Sequence, residues 1–87
     1  MGKLEVTIVV IDDDKRILED AFLDEVRDVF SEVKYFDDSN SGLGFIESNI
    51  DRKMIVLLDL SFTHNMPDGH QVLERIRALS SLIPVII

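Results

Sequence analysis

Carboxylates gather at two points of this 87-residue chain. Asp12, Asp13 and Asp14 stand side by side behind the apolar run VTIVVI, and Asp59 lies near the end of the apolar run MIVLLDL. In open α/β sheets, ligands bind at the carboxyl ends of the strands, where the loops converge. If the two runs form neighbouring strands, Asp12, Asp13 and Asp59 meet at one edge of the sheet.

Such a cluster is suited to binding a small, hard cation. Neighbouring carboxylates repel one another unless positive charge lies between them. One or two carboxylates plus waters are the usual protein ligands of Mg²⁺, so the cluster predicts a magnesium site. A carboxylate held beside Mg²⁺ can also attack phosphorus and form an aspartyl phosphate. Asp59, which lies on the most apolar segment, is the candidate nucleophile.

The elements that must position these residues can be predicted from hydrophobic periodicity. Segments that are β-branched and apolar on both faces predict buried parallel strands over residues 4–11, 33–36, 54–60 and 84–87. Apolar spacings of three and four residues predict helices over residues 15–30 and after a loop over 61–69, the second ending at Ser80 and Ser81. A turn over residues 37–41 leads into a short helix ending near Ser48. The alternation predicts one α/β domain with helices on both faces of a parallel sheet.

Composition narrows the possible partners. Seventeen acidic residues against nine basic ones give a net charge of −8, which argues against nucleic acid and anionic membranes as partners of the general surface. The chain has no Cys, which excludes disulfides and thiol ligands and suits a reducing compartment. No apolar run approaches the roughly 20 residues that cross a bilayer. We therefore expect a cytoplasmic protein.

At its acidic motifs the chain resembles the receiver domain of two-component response regulators. The matching features are VIDDD with Asp12 and Asp13, VLLDL with Asp59, then Pro67, the Asp68-Gly69 pair and PVII, in the family's order. The resemblance extends over essentially all of residues 1–87. It implies a receiver domain with a flavodoxin-like, doubly wound parallel sheet of strand order 2-1-3-4-5.

The resemblance also implies a function and a set of ligands. Asp59 would accept a phosphoryl group from a sensor histidine kinase or a phosphotransfer protein. Mg²⁺ would be bound by Asp13 and Asp59, by Asp12 largely through water, and by the backbone carbonyl of Ser61.

The chain departs from the receiver pattern after its fourth strand. The family's Ser or Thr just past that strand, and its Lys at the end of a fifth strand, have no counterpart, so we expect a partial domain, incomplete at the C-terminus. An apolar sheet face left uncovered would exceed what monomers usually expose. The alternative function is therefore a receiver-like interaction module that does not switch and that pairs with another chain or a second copy.

Simpler interpretations apply to some of the same residues. Asp14 most simply caps a helix or lies on the surface, and Asp59 could be a solvated strand-end charge. His64 and His70 could hold zinc with Asp59, although histidines in a loop and at a helix start are usually surface residues. Haloacid dehalogenase-like phosphatases also use an Asp nucleophile, and they carry a second Asp two residues after it. Here that position is Ser61, which argues against an enzyme.

Overall fold

Four parallel strands form one sheet within the part of the chain that is described. Across the sheet, the second strand of the chain lies at one edge, followed by the first, the third and the fourth. A computed structural model describes residues 4–12, 21–59 and 69–86. The strands are β1 (Leu4–Ile11), β2 (Phe30–Phe36), β3 (Met54–Leu58) and β4 (Val85–Ile86). The helices are α1 (Ala21–Val29), α2 (Ser39–Ser48) and α3 (Gly69–Leu79). The predicted α/β class and the first four positions of the predicted strand order are confirmed.

Strand β1 is the centre of the core and is buried on both faces. Val9 and Ile11 belong to one apolar cluster, in which residues of α2 and α3 pack against the sheet. Ile8 and Val10 belong to a second cluster, with Leu23 of α1. Because successive side chains of a strand point to opposite faces, one continuous apolar run supplies both clusters. The predicted covering of both faces by helices is confirmed.

Several boundaries differ from those predicted. The first helix was expected to reach Phe30, but α1 ends at Val29 and Phe30 begins β2, where it pairs with Leu4. Strand β2 therefore starts three residues before the predicted Val33. The pattern could not separate the two states, because Phe30 is an apolar residue that suits either a helix stripe or a strand. Residues 15–20 lie outside the described part.

The remaining differences shorten strands and lengthen helices. Strand β3 ends at Leu58 rather than at residue 60, so Asp59 follows the strand directly. Helix α2 begins at Ser39 inside the predicted turn, and α3 already includes Gly69, which was assigned to the loop. Strand β4 (Val85–Ile86) begins one residue after the predicted Pro84, which has no N–H to donate, although the Pro84 carbonyl accepts from Val56 N at 2.9 Å. Ile87 and Asp68 are not among the described residues.

No helix in the described ranges is long and apolar enough to cross a membrane.

On the face covered by α1, Ile55 and Leu57 of β3 are only half-buried. Pairing of two copies through the sheet stays a prediction.

Gly42 allows α2 to lie unusually close to β1. A Cβ at this position would stand 2.6 Å from Cδ1 and 2.8 Å from Cγ1 of Ile11, a fully buried side chain. A Cβ at Gly44, two residues later on the same helix, would meet nothing within 4 Å. Helix propensity disfavours glycine at both positions. The close approach to Ile11 explains the glycine at position 42, and it does not explain Gly44.

These two glycines give a matched pair of variants. We expect Gly42→Ala to lower the free energy of unfolding by about 1 to 3 kcal/mol, because Ile11 has no free space into which it can move. Gly44→Ala should leave stability unchanged or raise it by up to about 1 kcal/mol, because Ala is the better helix former. Urea denaturation followed by circular dichroism measures both. A Gly42→Ala variant as stable as Gly44→Ala would contradict the packing described here.

Candidate functional site

Asp12 and Asp59 stand next to each other in the hydrogen-bond ladder at the carboxyl edge of the sheet. The β1–β3 register ends on the pair Ile11 and Leu58, and the next ladder bond runs from Asp59 N to the carbonyl oxygen of Ile11 at 3.1 Å. Each aspartate directly follows its strand, and neighbouring strands are about 4.8 Å apart. Both residues are half-buried. The fold therefore brings together two of the three carboxylates expected at this edge.

The backbone of Asp12 is held on both its polar groups by β2. Its N–H donates to the carbonyl oxygen of Phe36 at 3.1 Å. Its carbonyl oxygen accepts from the Tyr35 hydroxyl at 2.6 Å. These two hydrogen bonds therefore fix the backbone of Asp12 at the end of β1, where the acidic segment begins.

Tyr35 was missed by sequence reasoning, which treated it only as part of a short strand. The available signal was that it is the single Tyr of a chain without Trp. A tyrosine hydroxyl in a partly buried place usually finds a hydrogen-bond partner. That the partner is Asp12, 23 residues earlier, follows only from the pairing of β1 with β2.

Ser39, the first residue of α2, was also not singled out. It lies just beyond the end of β2 and is 1% exposed, and its hydroxyl has no hydrogen-bond partner among the residues that the structure describes. A buried hydroxyl without a partner costs about 1 to 3 kcal/mol. Ser39 is thus a destabilising polar group close to the carboxyl edge of the sheet.

Asp38 belongs to the helix rather than to the carboxylate pair. Asp38 belongs to the turn predicted over residues 37–41, whose residues are suited to capping a helix. It is the N-cap of α2, and its side chain accepts from Ser41 N at 3.0 Å. Hydrogen bonds from the Ser41 side chain and backbone lower the pKa of Asp38. The Asp38 carboxylate therefore stays ionised within the pH range in which an ordinary Asp takes up its proton. Its contribution to stability is complete above that range and is lost as pH falls through the lowered pKa.

Several predicted site residues lie outside the described part of the chain: Asp13, Asp14, Ser61, His64, Pro67 and Asp68. The metal-binding parts of Asp13 and of the Ser61 carbonyl accordingly stay predictions. His70 is exposed at the start of α3. Within residues 4–12, 21–59 and 69–86, no three His, Asp or Glu side chains form a group that could hold a metal ion, so zinc gains no support there.

The donors that are described fit magnesium better than a softer metal. Asp12 and Asp59 both offer carboxylate oxygens, which hard cations such as Mg²⁺ prefer. Mg²⁺ also keeps several waters, so it does not need a complete protein cage. Two carboxylates on adjacent strand ends, next to a third in sequence at Asp13, form a suitable donor set.

The solved structures include a relative of this chain. No protein-family model matches the chain, and no curated protein matches it. A solved response regulator receiver domain protein from Clostridium thermocellum matches with a TM-score of 0.69 and 23% sequence identity over 92% of this chain. The chain spans 61% of the length of that solved protein. The similarity shows that this chain has the receiver fold.

Tyr35 provides a natural probe of the site. Since it is the only Tyr and contacts the Asp12 backbone, we expect its fluorescence to change saturably as MgCl₂ is added. Asp12→Asn and Asp59→Asn should each weaken Mg²⁺ binding at least about tenfold, because each removes a charged donor. Asp37→Asn, an exposed acid outside the pair, is the control and should bind normally. Equal binding by all four proteins would refute a magnesium site here.

The hydrogen bond from Tyr35 can be tested separately. Tyr35→Phe leaves the ring but removes the bond to Asp12, so we expect Mg²⁺ affinity, measured by calorimetry, to fall by roughly 2- to 10-fold, the equivalent of one hydrogen bond. Thr7→Val is the matched control, because it removes a hydrogen bond to Glu32 from the middle of β1, away from Asp12. If both variants bind Mg²⁺ like the wild type, Tyr35 does not position the site.

Proposed function

We propose that this chain accepts a phosphoryl group on Asp59 from a sensor histidine kinase or a phosphotransfer protein, in a magnesium-dependent cytoplasmic phosphorelay. The observation that carries the proposal is the hydrogen bond from Asp59 N to the carbonyl of Ile11, which puts Asp59 beside Asp12 at the carboxyl edge. The receiver fold supports it further. In this proposal the chain is a phosphoacceptor rather than an enzyme.

The chemistry requires one bond to form and one to break. A carboxylate oxygen of Asp59 attacks phosphorus, and an oxygen–phosphorus bond forms as the nitrogen–phosphorus bond of the donor's phosphohistidine breaks. The leaving imidazole keeps the electron pair and is protonated by solvent. Mg²⁺ held by Asp12, Asp13, Asp59 and the Ser61 carbonyl would neutralise charge on the phosphoryl oxygens.

The backbone that carries Asp59 is anchored in the sheet. Strand β3, which it follows, is paired with β1 on one side and β4 on the other. Leu58, the residue before it, is 3% exposed. A nucleophile anchored in this way loses little further freedom when the donor approaches, and such positioning is a large part of phosphoryl-transfer catalysis.

Phosphorylation by a small donor tests the proposal without knowledge of the kinase. We expect acetyl phosphate with MgCl₂ to add the mass of one phosphoryl group to the wild-type chain, and EDTA to abolish the addition. Asp59→Asn should remain unmodified because it lacks the attacking carboxylate, whereas Asp37→Asn should be modified like the wild type. Intact mass spectrometry reads out each reaction. Modification of Asp59→Asn, or modification in EDTA, would overturn the proposal.

A further inference from the structure

A groove of about 390 Å³ opens at the amino edge of the sheet, the end opposite Asp12 and Asp59. It is bordered by the beginnings of β1 and β3 and by the segment between α3 and β4. The residues that matter for its chemistry are Val6, Arg52, Lys53, Ile55, Leu82 and Ile83. Its size is within the usual range for ligand pockets.

The walls of the groove are largely apolar. Leu82 is 87% exposed, the highest exposure among the large hydrophobic residues that the structure describes as exposed. Val6 and Ile55 are half-buried and pack against one core cluster, whereas Ile83 is buried in the cluster on the other face of the sheet. An apolar surface rimmed by polar residues is typical of an interaction site rather than of ordinary solvent-facing surface.

The charge of the groove is opposite to that of the chain as a whole. Arg52 and Lys53 line it, and none of the described residues that line it is Asp or Glu, although the chain has 17 acidic residues and 9 basic ones. Arg52 is already engaged, with Nη2 3.0 Å from Glu32 Oε1. Lys53 pairs with no carboxylate in the part of the chain that the structure describes.

The Lys53 backbone is rigid even though its side chain is exposed. Its carbonyl accepts from Thr7 N at 3.0 Å, and Thr7 is buried. The adjoining cavity shares Arg52 and Lys53 but is also lined by Glu5, so it is less favourable for an anion. The favourable place for a negative charge is therefore the side of Lys53 that faces the apolar groove.

We propose that this groove docks a short segment of a partner protein in which apolar side chains stand next to an Asp or Glu. The apolar side chains would cover Leu82 and Ile55, and the carboxylate would pair with Lys53. A polyanion such as nucleic acid suits the surface poorly, because the chain carries a net charge of −8 and Arg52 is already paired with Glu32. The site lies at the other end of the strands from Asp59, so the proposal is independent of phosphorylation.

Selection from a random heptapeptide phage library tests the docking site. We expect the wild-type chain to enrich peptides that combine apolar residues with Asp or Glu. Lys53→Glu should lose these peptides and enrich ones with Lys or Arg instead, because the charge at the groove is reversed. Arg75→Glu is the matched control: Arg75 is an exposed basic residue on α3 outside the groove, and its variant should select the same peptides as the wild type.

The affinity of one enriched peptide, labelled with fluorescein, then tests the apolar wall. Leu82→Ser should weaken the binding of this peptide about tenfold or more, measured by fluorescence anisotropy. The reason is that the bound peptide would bury the Leu82 side chain, and the variant loses that apolar contact. Asp59→Asn should bind it normally whether or not the chain is a phosphoacceptor. Absence of enrichment, enrichment that Lys53→Glu does not alter, or equal binding by Leu82→Ser would each overturn the proposal. Self-association of the wild type that Leu82→Ser abolishes, without peptide enrichment, would identify a second copy as the occupant and would also overturn it.

Discussion

The parallel pairing of β1 with β3 is the constraint on which the rest of the structure depends. It runs from Thr7 and Met54 to Ile11 and Leu58 without a shift, and it continues to Asp59 through one further backbone bond. Because side chains alternate along a strand, a slip of one residue would move Met54, Val56 and Leu58 out of their cluster. The same slip would move Asp59 away from Asp12. Burial of the core and alignment of the two carboxylates are thus enforced by one register.

The second feature that stands out is how firmly the acidic edge is built. Two carboxylates at neighbouring strand ends repel each other, and a flexible backbone would let them separate. Here the backbone of Asp12 is bonded through its N–H to Phe36 and through its carbonyl to Tyr35. The backbone of Asp59 is bonded to Ile11. These backbone hydrogen bonds therefore hold the two aspartates at neighbouring strand ends.

Packing connects α2 to this edge as well. Gly42 brings the helix against Ile11, the last residue of β1, and Asp12 follows directly. A displacement of Ile11 would also move Asp12, because the two residues are consecutive in the chain. Gly42 therefore supports the site although it contributes no side chain. At the amino edge the charge is reversed, with Arg52 and Lys53 around an apolar groove. The two ends of the same strands consequently differ in the sign of the charge that they carry.

The sequence by itself determined the class of fold, the approximate elements and the expectation that Asp12 and Asp59 share an edge. Periods of two and of three to four residues report local burial, and the carboxyl ends of parallel strands are where such sites form. Only the tertiary structure decided that Phe30 is a strand residue, that Tyr35 holds Asp12 and that Gly42 must be small. Each of these depends on a partner distant in the chain, Leu4, Asp12 and Ile11 respectively. Local patterns carry no information about which distant residue will be in contact, because that is set by how the strands and helices pack together.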